Sequence, residues 1–146
     1  MSDRAELRSL LHDVLREEVG ASDVVRVCPR CGSADHGRPR TRGADVHVSL
    51  SYAGALGVVA WSAEGPVGID VAEEGPPVGE FGDRRTWTRI EALLKATGEG
   101  LSRDPADLPD LPTRDLDLPD GYVGTVAGTG VSWRAVVAAP PRTTTG

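Results

Sequence analysis

The chain has 146 residues, of which 39% are hydrophobic and 26% charged, with a formal net charge of −6. That length supplies one domain with its own core and falls short of two comfortable ones. The acidic balance excludes a general nucleic-acid binder, and no apolar run approaches the roughly 20 residues of a membrane-spanning helix.

Residues 1–18 mix Asp, Arg and Glu throughout, so they read as neither signal peptide nor anchor, and a cytoplasmic address is the expectation. Within them, residues 4–18 place Leu7, Leu10, Leu11, Val14 and Leu15 at helical spacing, and Gly20 stands where such a helix ends. Residues 24–27 read as a short strand. Residues 28–43 read as a Gly/Pro/Arg loop in which Arg30, Arg38, Arg40 and Arg42, with Arg26 just upstream, face Asp35 alone as counter-charge. A local basic patch on an acidic chain fits a small anionic ligand or an acidic partner. A solubilising loop fits it equally.

Cys28-Pro29-Arg30-Cys31-Gly32 has the form of half a zinc knuckle, and His36 and His47 are the nearby histidines that would complete four ligands. A second cysteine pair is missing, so free thiols in a tight turn are the expectation; a disulfide is disfavoured in a reducing compartment.

Residues 46–50, 56–61 and 67–71 read as strands, separated by turns at Ala53-Gly54 and Glu64-Gly65-Pro66. A second Gly/Pro loop covers residues 73–82. Residues 86–97 form the second helix, with Gly98 placed as its C-terminal cap. Residues 103–112 read as an exposed loop. Residues 122–127 and 131–139 read as a closing hairpin around Gly128-Thr129-Gly130, followed by a disordered tail at 141–146. The expected architecture is α+β: a single domain over residues 1–140, with an antiparallel sheet packed against two main helices.

Three stretches carry candidate chemistry. Asp70 is a lone carboxylate at the end of an apolar strand, Glu91 and Lys95 share one helix face four residues apart, and His36-Gly37-Arg38-Pro39 lies in the basic loop. Singly, each has a plain structural reading. Asp70 starts a turn, Glu91 completes a capping box with Thr88, and Glu91 with Lys95 makes a surface pair. Lys95 is the one lysine among 16 basic residues. In a chain that otherwise uses arginine, the position of the one lysine stands out, because arginine would serve for surface charge alone.

In order and combination, Val67-Gly68-Ile69-Asp70 followed by Trp87-Thr88-x-x-Glu91-Ala92-x-x-Lys95-Ala96-x-Gly98-x-Gly100-Leu101 resembles the signature pair of the surfactin-type phosphopantetheinyl transferases. Upstream, Gly37-Arg38-Pro39 is similar to that family's Gly-Lys-Pro, which frames the adenine of coenzyme A. Leu50-Ser51-Tyr52-Ala53-Gly54 resembles its Ser-His-Ser-Gly turn, which meets the 3′-phosphate. Arg8-Ser9-Leu10-Leu11 resembles a helix whose arginine binds the same phosphate. The resemblance runs from about Arg8 to Leu101.

It implies a phosphopantetheinyl-transferase-like fold and a magnesium-dependent transfer of phosphopantetheine from coenzyme A to a serine of an acyl, polyketide or peptidyl carrier protein. In that reading Asp70 and Glu91 hold magnesium, Glu91 takes part in deprotonating the serine, and Lys95 holds a phosphate oxygen. Arg8, Arg38, Pro39, Ser51, Tyr52 and Lys95 bind coenzyme A. The chemistry suits the residues, because magnesium takes oxygen ligands and is commonly held by one or two carboxylates plus substrate phosphates.

The sequence also departs from the family pattern. Ala72 stands at the usual second acidic position, Ile90 where a lysine is common, and Tyr52 in place of histidine. These favour an alternative in which the chain binds coenzyme A or a carrier protein without turnover. Larger members resemble two packed halves, so a two-fold dimer of the shortened chain is the expectation, the alternative being that residues 4–18 fold back as a helix over the vacant face.

Overall fold

A computed structural model describes residues 3–21, 23–26, 39–43, 45–77, 79, 82–97 and 108–138. Cys28, Cys31, His36 and Arg38, and with them the zinc-knuckle and adenine-frame readings, lie outside the described residues, as does the tail at 141–146. No described helix is long and apolar enough to cross a membrane.

The first helix, α1 (Asp3–Val19), forms where the leucine spacing predicts it. Leu7, Leu11 and Leu15 lie on one stripe and are fully buried, with Val14 beside them. Gly20 leaves the helix at φ +71°, a conformation that costs glycine nothing. Next, β1 (Asp23–Arg26) pairs antiparallel with β2 (Pro39–Arg42). The second of these was expected to be loop. Pro-Arg-Thr-Arg has no apolar alternation to announce a strand; its pairing with β1 defines it.

Two three-stranded antiparallel sheets make the body of the fold. One has β4 (Leu56–Ser62) between β3 (His47–Ala53) and β8 (Ser132–Val137). The other has β7 (Tyr122–Gly128) between β5 (Val67–Glu73) and β6 (Thr113–Asp115). The α+β class and the antiparallel pairing agree with expectation. The closing hairpin does not form, because β7 pairs with β5 and β6 whereas β8 pairs with β4. Gly128 at φ +136° and Gly130 at φ +61° let the chain leave one sheet for the other between them.

The sheets meet along β3 and β5, which run side by side in the same direction. Side chains, not the main chain, join them. Ile69 N–H donates to Ser49 Oγ at 3.0 Å and Val71 N–H to Ser51 Oγ at 3.1 Å. The serine hydroxyls thus take up edge amides of β5 that a strand neighbour would otherwise satisfy. Leu56 and Val58 from one sheet pack with Val67, Ile69, Val71 and Val126 from the other, forming a shared apolar interior. On the outer face of the first sheet, α1 covers Val48, Leu50 and Val59.

The second helix, α2 (Arg84–Thr97), lies on the opposite face of β5 and β7 from that interior. It starts two residues before the expected 86, because Asp83 caps it: Thr86 N–H donates to Asp83 Oδ1 at 2.7 Å. The capping box expected from Thr88 and Glu91 is therefore absent. Thr88 lies inside the helix, donates to Arg85 O at 3.0 Å, and shares a hydrogen bond of 3.0 Å with Thr125 of β7. Of the expected exposed loop at 103–112, residues 108–112 are described and form neither helix nor strand, but they are not fully exposed, since Leu108 and Leu111 pack on Ala92, Leu93 and Ala127.

Candidate functional site

Gly68 sets how closely α2 can lie on β5. A Cβ at this position would collide with the carbonyl oxygen of Ala92 and stand 2.8 Å from the amide nitrogen of Ala96. Only hydrogen fits at this position, so helix backbone rests directly on strand backbone. Strand alternation puts Gly68, Asp70 and Ala72 on this helix-facing side. Asp70 is the fourth of seven residues in β5. It sits in mid-strand, not at the strand end, and starts no turn.

Asp70 is 8% exposed. One of its oxygens, Oδ1, accepts from Ser51 Oγ at 3.1 Å and from Lys95 Nζ at 3.1 Å. Lys95 also donates to the carbonyl of Leu50 at 3.2 Å and to that of Ile69 at 3.1 Å. An ammonium has three N–H donors. All three are thus directed inward, onto both strands of the seam. The surface pair expected between Glu91 and Lys95 gives way to a largely buried pair between Lys95 and Asp70.

Glu91, one helical turn before Lys95, is near enough to Asp70 to feel its charge. Burial first, and the Asp70 carboxylate second, push Glu91 above its ordinary value, while Lys95 pulls it down. Burial likewise raises Asp70, against the opposing pull of Lys95 and Ser51. A carboxylate whose proton affinity is raised by a neighbouring carboxylate gains from a cation placed between the two.

A hard divalent cation suits this donor set. The oxygens are carboxylate, the Asp70 Oδ2 atom is not among those used by Ser51 or Lys95, and magnesium completes its shell with water and substrate phosphate. Among the described residues no group of three or more His, Cys, Asp or Glu side chains gathers. Metal holding by the protein alone would therefore rest on two carboxylates. Glu73 adds no third ligand. It pairs with Tyr122 on the other face of β5, and its carboxylate lies against Gly54. Ala72 does face α2.

Four of the expected site residues come together: Ser51, Asp70, Glu91 and Lys95. Arg8 and Tyr52 do not join them. Ser51 and Tyr52 are neighbours within strand β3 and not in a turn, so they point to opposite faces. Tyr52 packs with the α1-side cluster. Arg4, not Arg8, lies over its ring, 4.4 Å from the centroid. The Tyr52 hydroxyl is buried and has no hydrogen-bond partner among the described residues. Arg8 is exposed on α1, and Pro39 begins β2.

The sequence reading missed Ser49, Gly68 as a contact point, and the Thr88–Thr125 bond. A signal for the serines was present: in Val48-Ser49-Leu50-Ser51-Tyr52 the polar positions all fall on one side of an otherwise buried strand. No protein-family model matches this chain, and no curated protein matches it.

Proposed function

We propose that this chain is a short phosphopantetheinyl transferase of the surfactin type, acting on coenzyme A and an apo carrier protein. The observation that carries the reading is the meeting of Asp70, Glu91 and Lys95 on one face of β5, from two motifs separated by a loop and a helix turn. Magnesium, held by Asp70 and Glu91 together with the diphosphate of coenzyme A, would neutralise charge developing on the phosphate oxygens. The carrier serine oxygen forms a bond to the β-phosphorus, and the bond from that phosphorus to the bridging oxygen breaks. The products are the phosphopantetheinyl carrier and adenosine 3′,5′-bisphosphate. In this reading Glu91 takes the serine proton directly or through water, and its proton affinity, raised by burial, supports that role.

A second reading is binding of coenzyme A or of a carrier protein without turnover. Ala72 in place of a third carboxylate favours it, and so does Lys95, whose donors are all spent within the protein. Incubation with coenzyme A, magnesium and apo carrier proteins separates the two. Release of adenosine 3′,5′-bisphosphate in step with carrier modification supports transfer. Coenzyme A binding with no nucleotide released supports the second reading.

A further inference from the structure

We propose that Ser51 and Lys95 are positioning residues that act through Asp70: they hold its Oδ1 atom and so direct Oδ2 toward the cation. The proposal rests on the reading of Asp70 as a metal ligand. It moves Ser51 and Lys95 from the coenzyme to the carboxylate. Ser51 has one hydroxyl proton, and its geometry spends that proton on Asp70 Oδ1 while the same oxygen accepts the Val71 N–H. A hydroxyl fixed at both ends has a single orientation. Lys95 adds a second donor to the same Oδ1, and its two further donors go to Leu50 O and Ile69 O on the adjoining strands.

Two donors on one oxygen hold that oxygen in place and leave Oδ2 for the cation. This is the arrangement by which groups behind a ligand set its aim and affinity. The Lys95 side chain is 32% exposed and that of Asp70 12%, so the clamp is shielded from competing water on most sides.

The test uses the full chain, Mn2+ as the probe cation and coenzyme A as the diphosphate, followed by titration calorimetry and metal-free thermal unfolding. Ser51→Ala is expected to weaken Mn2+ binding about tenfold, with Ser51→Thr restoring it. In an Asp70→Asn background Ser51→Ala is expected to add nothing. Lys95→Met is expected to lower the unfolding temperature of the metal-free protein while leaving metal-free coenzyme A binding within about twofold, since the ammonium is occupied inside the fold. Lys95→Gln serves if Lys95→Met does not fold.

Unchanged Mn2+ affinity in Ser51→Ala, or a loss that persists without the Asp70 carboxylate, overturns the role of Ser51. A severalfold loss of metal-free coenzyme A binding in the Lys95 variants, at unaltered unfolding temperature, overturns the role of Lys95 and returns it to the phosphate. Absence of Mn2+ binding by the unaltered protein contradicts the metal reading itself. Metal-free coupling between the Lys95 and Asp70 substitutions then shows whether the clamp exists apart from the metal, and additive effects overturn it.

Discussion

Asp70 combines three conditions seldom met by one carboxylate: burial, an ammonium partner and a second carboxylate within electrostatic reach. Asp70→Asn and Glu91→Gln are each expected to reduce carrier modification about a hundredfold or more, on the scale of losing one group that meets developing charge. Initial rates at saturating coenzyme A would measure this. Ala72 faces the same side, so Ala72→Glu is expected to lower the magnesium concentration needed for half-maximal rate. A rise would mean that the new carboxylate points elsewhere.

The same groups set the pH behaviour of the metal-free protein. Asp70 and Glu91 hold protons more tightly folded than unfolded. Their contribution to stability is therefore greatest below the ordinary carboxylate range and is lost as pH rises through their raised values. Asp83, lowered chiefly by the backbone amide of Thr86, works the other way: its contribution is present above its ordinary value and lost as pH falls through the lowered one. Unfolding temperature measured against pH should fall on the alkaline side of the carboxylate range, and Glu91→Gln should flatten that fall. Magnesium with coenzyme A should flatten it too.

At the scale of elements, the contact of α2 with β5 decides whether the site exists. Glu91 and Lys95 reach Asp70 only because Gly68 admits the helix backbone. Gly68→Ala must push Ala92 and its helix away, at a cost of about 2 kcal/mol typical of overpacking, and should reduce activity together with stability. Lys95→Met leaves Asp70 as a buried charge without its partner and is expected to destabilise by about 3 kcal/mol. Denaturant unfolding measures both.

Helices and apolar strands were legible because their periods are local: α1, α2, β3, β4 and β5 fall within a few residues of their expected bounds. What escaped was set by distant partners. The Pro39–Arg42 strand exists because β1 lies beside it, and the assignment of β7 and β8 to different sheets depends on β4 and β5. The motif residues Asp70, Glu91 and Lys95 were legible as a set, but the inward turn of Lys95 was not. Nothing in its spacing distinguishes a carbonyl-bound ammonium from one that awaits phosphate.

For the whole molecule, the seam between the two sheets is the defining feature, because serine hydroxyls and one lysine stand where main-chain hydrogen bonds would otherwise run. The apolar stripe of α1 is already buried on β4 and β8 within one chain. A monomeric mass by light scattering, constant as concentration rises, is therefore expected; a dimer would place a second copy at another surface.

The most direct test of the proposed activity is the intact mass of apo carrier proteins from fatty-acid, polyketide and nonribosomal-peptide systems after incubation with this protein, coenzyme A and magnesium. The expected result is a gain of one phosphopantetheine on at least one carrier, abolished by chelation of the metal and by Asp70→Asn. Unmodified carriers throughout, with a folded protein that binds coenzyme A, would contradict it.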